Sequence, residues 1–173
     1  MATLPKAQML LLVQRWSVPA DFKQSLIIRN IQREDLPTLL EFCQAHADLE
    51  QSPFDPKAKL ERWSQCLFDP GLGIHCWMLE IEGQLIGYAT FMRQFSTWDA
   101  HLYLYLDCLY LAENFRGQGF GAQVMQAIKD FAQKESYSII QWQTPVFNQE
   151  AIAFYKGLGA ASKPKERFFW DMS

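Results

Sequence analysis

The chain has 173 residues, of which 49% are hydrophobic and 14% aromatic, and its net charge is −3 at pH 7. This size and composition predict one domain with a packed core. The acidic balance argues against nucleic acid as a partner, because phosphate binding needs a basic stripe. No apolar run reaches the roughly 18 residues of a membrane span, and the early apolar stretch 9–13 is short for a signal peptide. We therefore expect a cytoplasmic protein with neither a membrane nor nucleic acid as a partner.

The first predicted elements follow residues 1–24, an N-terminal extension of unknown role that precedes a single domain at 25–173. The β-rich run 25–31 predicts a strand. Apolar residues at helical spacing then predict two helices, over 35–47 and over 55–68.

The middle of the chain contains a hairpin signal, in which Glu82 and Gly83 separate two apolar runs. Alternating strand and helix patterns follow this hairpin to the end of the chain. The predicted strands are 74–81, 84–93, 101–111, 138–143 and a last one near 167–171, and the predicted helices are 122–134 and 149–157.

Four cysteines, Cys43, Cys66, Cys76 and Cys108, are scattered along the sequence. They are too few and too dispersed for a disulfide framework, and no Cys or His spacing is typical of zinc. We interpret them as buried or incidental thiols and predict no metal site.

A glycine-rich stretch, Arg116-Gly117-Gln118-Gly119-Phe120-Gly121, lies between the strand pattern 101–111 and the helix pattern 122–134. Glycines let backbone N–H groups approach a ligand, and a helix N-terminus carries partial positive charge, so this stretch is suited to hold an anion such as a pyrophosphate. A dinucleotide fingerprint needs its first glycine at the strand end and an acidic residue about 20 residues later, and neither is present. A P-loop needs Gly-Lys-Ser/Thr, which is also missing. The alternative is a glycine turn that begins a structural helix.

Two motifs resemble those of the GNAT superfamily of N-acetyltransferases. The first is Arg116-x-x-Gly119-x-Gly121, which is similar to the loop that binds the CoA pyrophosphate, and the second is Asn148-x-x-Ala151-x-x-Phe154-Tyr155-x-x-x-Gly159. The resemblance covers about 26–170. It implies an α/β (α+β) GNAT fold, with a mixed, mostly antiparallel sheet of about six or seven strands flanked by about four helices, and acetyl-CoA as the cosubstrate.

The resemblance also implies which residues contact acetyl-CoA. In the family a bulge in the central strand turns backbone amides toward the thioester carbonyl, loop amides bind the pyrophosphate, and the asparagine contacts the pantetheine arm. Carried over, the predicted cofactor-binding residues are Leu109, Tyr110, Leu111, Arg116, Gly117, Gln118, Gly119, Phe120, Gly121, Ala122, Asn148, Ala151 and Tyr155.

Acetyl transfer also needs a group that stabilises or protonates the departing thiolate and a group that handles the amine. Tyr155 is the predicted general acid, since a phenol with an ordinary pKa near 10 remains a donor at neutral pH; the alternative is a core aromatic beside Phe154. Asp107 is the predicted partner of the amine, because it is a carboxylate inside an otherwise apolar strand; the alternative is a carboxylate at a solvated strand end. Glu113 and Asp99 are further candidates, more typical of loop charges.

Within the superfamily, the segments 104–117 and 154–160 are most similar to the spermidine/spermine (diamine) N-acetyltransferases. That subgroup has two adjacent acidic residues where this chain has Asp107 followed by Cys108. The expected acceptor is therefore the primary amine of a small molecule, with a singly charged amine, an amino acid or a peptide N-terminus left open. Two other classes also stay open, a protein N-acetyltransferase and a non-catalytic acetyl-CoA sensor. The family often forms dimers, which implies a homodimer.

Overall fold

A computed structural model describes residues 25–170 and 172. Its centre is one sheet of five strands in the order β1-β2-β3-β4-β5. The first four strands pair antiparallel and β5 pairs parallel with β4. The strands are β1 Ile27–Asn30, β2 Ile74–Ile81, β3 Gln84–Ser96, β4 His101–Leu111 and β5 Ile140–Gln141.

Within residues 25–170, four α-helices accompany the sheet: α1 Leu36–Leu49, α2 Lys59–Cys66, α3 Phe120–Lys134 and α4 Gln149–Gly157. The mixed α/β architecture is the expected one, and the limits of β2, β4 and α4 are those predicted. Helix α2 begins later than predicted, because the Asp55 side chain accepts a hydrogen bond from the Lys57 amide at 2.9 Å and forms a turn. Ala58 then has a left-handed backbone, with φ 57°, at the start of the helix.

The strand count differs from the expected six or seven. The predicted strand 138–143 is reduced to Ile140–Gln141. The predicted last strand near 167–171 does not form in its described part, since 161–170 has no regular structure. Phe168, Phe169 and Trp170 there are 90%, 86% and 92% exposed. An apolar run becomes a strand only when another strand pairs with it, and none of the described strands does so. The N-terminal extension, 1–24, lies outside the described residues.

The sheet separates two hydrophobic cores. On one face, α3 contributes Val124 and Ile128, which pack with Phe91 and Leu104 of the sheet. On the other face, α1 contributes the buried Leu36 and Leu39 together with half-buried Phe42, and these pack with sheet residues that include Tyr88. The sheet therefore holds α1 and α3 on opposite sides of β4.

A bulge in β4 changes which side chains face each core. Thr90 of β3 pairs with Cys108 and the next residue, Phe91, pairs with Leu106, so Asp107 is the extra residue in β4. Before the bulge Leu104 and Leu106 belong to the α3 core, and after it Leu109 and Leu111 pack against that core. The bulge expected from the family resemblance is thus present.

An ion pair fixes the start of α1. The guanidinium of Arg29 donates to both carboxylate oxygens of Asp35, at 2.7 and 2.9 Å, and its Nε donates to Glu80 at 2.9 Å. Asp35 also accepts from the Gln32 amide at 2.7 Å. The hydrogen bonds from Arg29 lower the pKa of Asp35 despite its burial. This network joins β1, β2 and α1, and α1 contributes side chains to the site described next.

Candidate functional site

A cavity of about 580 Å³ opens where β4 and β5 separate. The two strands pair only at Leu104 with Ile140 and at Tyr105 with Gln141. Beyond these pairs the two chain segments line opposite sides of the cavity. Leu106, Asp107, Leu109, Tyr110 and Leu111 lie on one side, and Trp142, Gln143 and Thr144 lie on the other. Because β4 and β5 stop pairing after Tyr105 and Gln141, a space opens between them in which a ligand can bind.

The glycine-rich loop forms one end of this cavity. Gly117 and Gly119 have φ values of 72° and 85°, which glycine adopts without strain, and Gly119 is the N-cap of α3. A Cβ at either position would meet nothing within 4 Å, so the space beside the loop is open. Among the described residues, no backbone carbonyl accepts from the amides of residues 117–122. These free amides, at the positive end of the α3 dipole, form a site for an anion.

Arg116 holds the loop at the end of β4. Its Nε donates to the Leu111 carbonyl at 2.8 Å, and its guanidinium carbon lies 5.5 Å from the centre of the Tyr110 ring. The side chain lines the cavity. Arg116 therefore positions the glycine-rich loop and places its positive charge at the loop end of the cavity, where the free amides form the anion site.

Asn148 begins α4 and lines the cavity. Its Oδ1 accepts from the Ala151 amide at 3.0 Å, as an N-cap residue does. The side-chain NH₂ group remains as a donor toward a ligand.

Tyr155 lies in the wall of the cavity, between Trp142 and Phe154, whose ring centres are 5.1 and 5.0 Å from its own. Burial, assisted by the negative charge of Glu50, raises the pKa of Tyr155 to about 12. Within the described residues no group forms a hydrogen bond with its hydroxyl. The phenol is therefore protonated at neutral pH and free to donate to a ligand.

Asp107 lines the cavity but is exposed. The prediction from sequence assumed a costly carboxylate inside an apolar strand, and that premise is wrong because the bulge places the residue at the surface of the cavity. Its Oδ2 is 3.8 Å from the sulfur of Cys108. Glu113 and Asp99 are exposed and do not line the cavity.

Two predicted contact residues do not line the cavity with their side chains. Gln118 donates to the Asn114 carbonyl at 2.8 Å, and Phe120 is buried in the α3 core. Only their backbone amides are available to a ligand. The other predicted residues, from Leu109 to Tyr155, line the cavity together.

Several lining residues were missed from sequence. Trp142, Gln143 and Thr144 line the cavity because β5 is short, and Glu150 does so from α4. His46 of α1 and Glu50, the C-cap residue of that helix, also line it, with His46 Nε2 3.5 Å from Glu50 Oε1. The predicted helix 35–47 contains His46 but ends before Glu50, so its helical pattern gave no signal for this pair. Other sequence features gave no reason to place α1 at the cavity.

The charges in the wall have an uneven distribution. Three carboxylates, Glu50, Asp107 and Glu150, line the cavity, whereas Arg116 is the one Lys or Arg among the described lining residues. Arg116 belongs to the loop end, so the remainder of the wall is acidic. Within the described residues there is no group of three or more potential metal ligands, and no helix there is long and apolar enough to cross a membrane.

Comparison with known proteins identifies the family. The family model described as "Acetyltransferase (GNAT) family" matches residues 29–160, most of the chain. The chain belongs to this family, and it is an acyltransferase that uses acetyl-CoA as its cosubstrate.

Individual relatives are distant. The chain is 26% identical over 144 residues to thialysine N-epsilon-acetyltransferase of Sus scrofa, covering 79% of this chain and 84% of that protein. It is 22% identical over 150 residues to spermidine/spermine N(1)-acetyltransferase-like protein 1 of Homo sapiens, covering 80% of this chain but 21% of that protein. The solved structure of aminoglycoside N-acetyltransferase AAC(6')-Iy in complex with CoA has a TM-score of 0.72 at 15% identity, covering 90% of this chain and 99% of that one. This last similarity shows the fold alone.

Proposed function

We propose that the protein transfers the acetyl group of acetyl-CoA to a primary amine of a small cationic molecule, with a diamine preferred over an amino acid. The observation that carries this proposal is the charge of the cavity wall. Glu50, Asp107 and Glu150 line it, and the one lysine or arginine among the described lining residues, Arg116, lies at the loop end. An ammonium group pairs with such a wall, whereas the carboxylate of an amino acid would be repelled by it.

The names of the relatives leave both kinds of acceptor open. Thialysine is an amino acid with a carboxylate, whereas spermidine and spermine have amines and no carboxylate. The carboxylate of an amino acid would need a cationic or hydrogen-bonding partner in the acceptor end of the cavity. The absence of a second Lys or Arg among the described lining residues supports the amine without a carboxylate.

The proposed reaction uses four groups of the cavity. The amides of the loop hold the pyrophosphate, and the amides of β4 at 109–111 polarise the acetyl carbonyl. Asp107 holds the acceptor ammonium near the thioester. The ammonium first loses one proton to a base or to water, and the electron pair that this frees on the nitrogen attacks the carbonyl carbon in a ternary complex. The C–N bond forms, the second proton leaves the nitrogen as the amide forms, the C–S bond breaks, and Tyr155 donates a hydrogen bond or proton to the sulfur of the departing CoA.

The test is the release of CoA from acetyl-CoA with a matched pair of acceptors. Cadaverine (1,5-diaminopentane) and lysine have the same chain between their amines and differ by the carboxylate. We expect kcat/KM to be at least about tenfold higher for cadaverine, which corresponds to about 1.4 kcal/mol. A preference for lysine would contradict the proposal, as would turnover of peptides alone. Binding of acetyl-CoA without turnover of any amine would favour a sensor.

The Asp107→Asn variant tests the ammonium partner. We expect it to lower kcat/KM for cadaverine by roughly tenfold, or about 1.4 kcal/mol, while the KM for acetyl-CoA stays unchanged. Glu113→Gln is the matched control, because Glu113 is an exposed carboxylate outside the cavity.

The expectations of a homodimer and of a cytoplasmic location stay predictions. The exposed aromatic residues Phe168, Phe169 and Trp170 support an interface near the C-terminus.

A further inference from the structure

His46 in the last turn of α1 and Glu50, the C-cap residue of this helix, form a pair on the side that faces the cavity. The distance from His46 Nε2 to Glu50 Oε1 is 3.5 Å, and the side chains are 15% and 34% exposed. The imidazole is thus mostly buried while its partner reaches the open part of the cavity. Glu50 contributes to the acidic wall of the cavity, whereas the steps of the proposed reaction do not use His46.

The other edge of the imidazole is fixed by the sheet. His46 Nδ1 lies 3.0 Å from the hydroxyl of Tyr88, which is 2% exposed. Burial raises the pKa of Tyr88 far above its ordinary value, so this hydroxyl keeps its proton. The ring of Tyr110 packs against the imidazole, with 5.5 Å between ring centres. These contacts fix the ring with Nε2 on the side of Glu50 and the cavity.

The surroundings keep His46 neutral near pH 7. Burial lowers the pKa of His46 below its ordinary 6.5, and this effect exceeds the opposing effect of Glu50. Two more distant charges act in opposite directions, since Arg116 lowers the pKa and Asp107 raises it. The phenols Tyr88 of β3 and Tyr110 of β4 also lie beside the ring, with 6.0 and 5.5 Å between ring centres. A neutral imidazole can accept a proton at neutral pH.

We propose that His46 is a catalytic base that accepts the proton of the acceptor ammonium at Nε2, directly or through one water. The N–H bond of the ammonium breaks and the Nε2–H bond forms, and the electron pair stays on the amine nitrogen, which uses it to form the C–N bond. In this state Nδ1–H donates to the Tyr88 oxygen, and Glu50 stabilises the new imidazolium. The inference rests on the proposed function, and it leaves Asp107 to hold the ammonium.

The chain provides its own control for this role. It has three histidines, His46, His75 and His101, all within the described residues. His75 is also partly buried, and burial lowers its pKa too. However, it packs on the α3 side of the sheet, 5.0 Å from Phe91 and 4.8 Å from Phe131 between ring centres, and it does not line the cavity. His75→Gln therefore removes a comparable imidazole away from the reacting groups.

The experiment is the pH dependence of kcat for the full chain with cadaverine and saturating acetyl-CoA. For the wild type we expect kcat to fall on the acidic side with unit slope and a midpoint below 6.5. His46→Gln should lower kcat by about 100-fold and remove this acidic fall, with the KM for acetyl-CoA unchanged. His75→Gln should retain both the rate and the acidic fall.

A second variant keeps the inference testable if His46→Gln does not fold. Since Glu50 raises the pKa of His46, Glu50→Gln should move the acidic midpoint to lower pH, whatever it does to the KM for cadaverine. A midpoint that does not move in Glu50→Gln would overturn the inference. So would a His46→Gln enzyme that keeps the acidic fall and a kcat within about twofold of the wild type.

The same data separate the inference from the proposed function. If the wild type turns over cadaverine and only Asp107→Asn loses the acidic fall, Asp107 is the proton acceptor and the role of His46 is refuted, while the proposed function stands. If the wild type turns over no amine, the proposed function itself fails.

Discussion

Replacing Tyr155 by Phe removes one hydroxyl and leaves the ring in its place between Trp142 and Phe154, with which it packs at 5.1 and 5.0 Å. The hydroxyl has no hydrogen-bond partner among the described residues and lies in the cavity wall. If Tyr155 acts on the departing sulfur, the variant loses one hydrogen bond to a group that carries charge only as the C–S bond breaks. Such a bond contributes about 1.5 to 3 kcal/mol. Since 1.36 kcal/mol corresponds to a factor of ten in rate, we expect kcat to fall by roughly 10- to 100-fold.

The pH profile adds a second expectation. Burial raises the pKa of Tyr155 to about 12, so the phenol should stay protonated throughout an assay that ends near pH 10. The loss in Tyr155→Phe should therefore be the same at each pH, with no basic fall in the wild type that the variant removes. An acid with an ordinary pKa near 10 would begin to lose its proton in this range.

The assay is CoA release with cadaverine, measured together with the acetyl-CoA KM and the thermal midpoint of each protein. The acetyl-CoA KM should change little, because the hydroxyl is expected to act mainly in the transition state. Tyr137→Phe is the control, since Tyr137 packs against the α3 core and does not line the cavity. A kcat for Tyr155→Phe equal to that of the wild type would remove Tyr155 from the mechanism.

Two further predictions concern the fold that positions the site. A Cβ at Gly87 would lie 2.1 Å from the Tyr110 carbonyl oxygen, so Gly87→Ala should destabilise the protein by about 1 to 3 kcal/mol. Gly157→Ala, where a Cβ meets nothing within 4 Å, is the control, and equal denaturation midpoints of the two variants would contradict the argument. Because Arg29 lowers the pKa of Asp35 from 3.8, the ion pair stabilises the fold above that pH, and this contribution is lost as pH falls through the lowered pKa. Urea unfolding of Asp35→Asn should show lower stability at pH 7 and a weaker dependence on pH below 4 than the wild type, and parallel curves would refute this assignment.

The elements that sequence predicted well are those whose signals are local. The hairpin of β2 and β3 follows from two apolar runs around Glu82 and Gly83, and both of these residues have positive φ, at 51° and 81°, as a two-residue turn requires. The sequence signals for the glycine-rich loop and for the Asn148 N-cap are also local, since each lies within a few consecutive residues. The missing strand at 167–170 has the opposite cause, because the aromatic residues there have a strand-like composition but none of the described strands lies beside them.

The part of the site contributed by α1 could not be predicted for a related reason. The helix itself was expected, but its position depends on contacts far apart in sequence, such as His46 Nδ1 at 3.0 Å from the Tyr88 hydroxyl and the packing of Leu39 in the same core as Tyr88. A local sequence pattern does not indicate which strands a helix packs against. Only the packing of α1 on the sheet shows that His46 and Glu50 line the cavity.

The spacing of the leucines around Asp107 in the sequence already indicates a bulge in β4. In β4 the leucines of the α3 side follow a step of two, from Leu104 to Leu106, then a step of three to Leu109, and again a step of two to Leu111. A strand keeps its leucines on one face across a step of three only if one residue is extra, which is the definition of a bulge. The extra residue lies between Leu106 and Leu109, where Asp107 is found. The same irregularity thus removes the cost of burying the carboxylate and places it at the opening between β4 and β5, where it contributes to the acidic wall of the cavity.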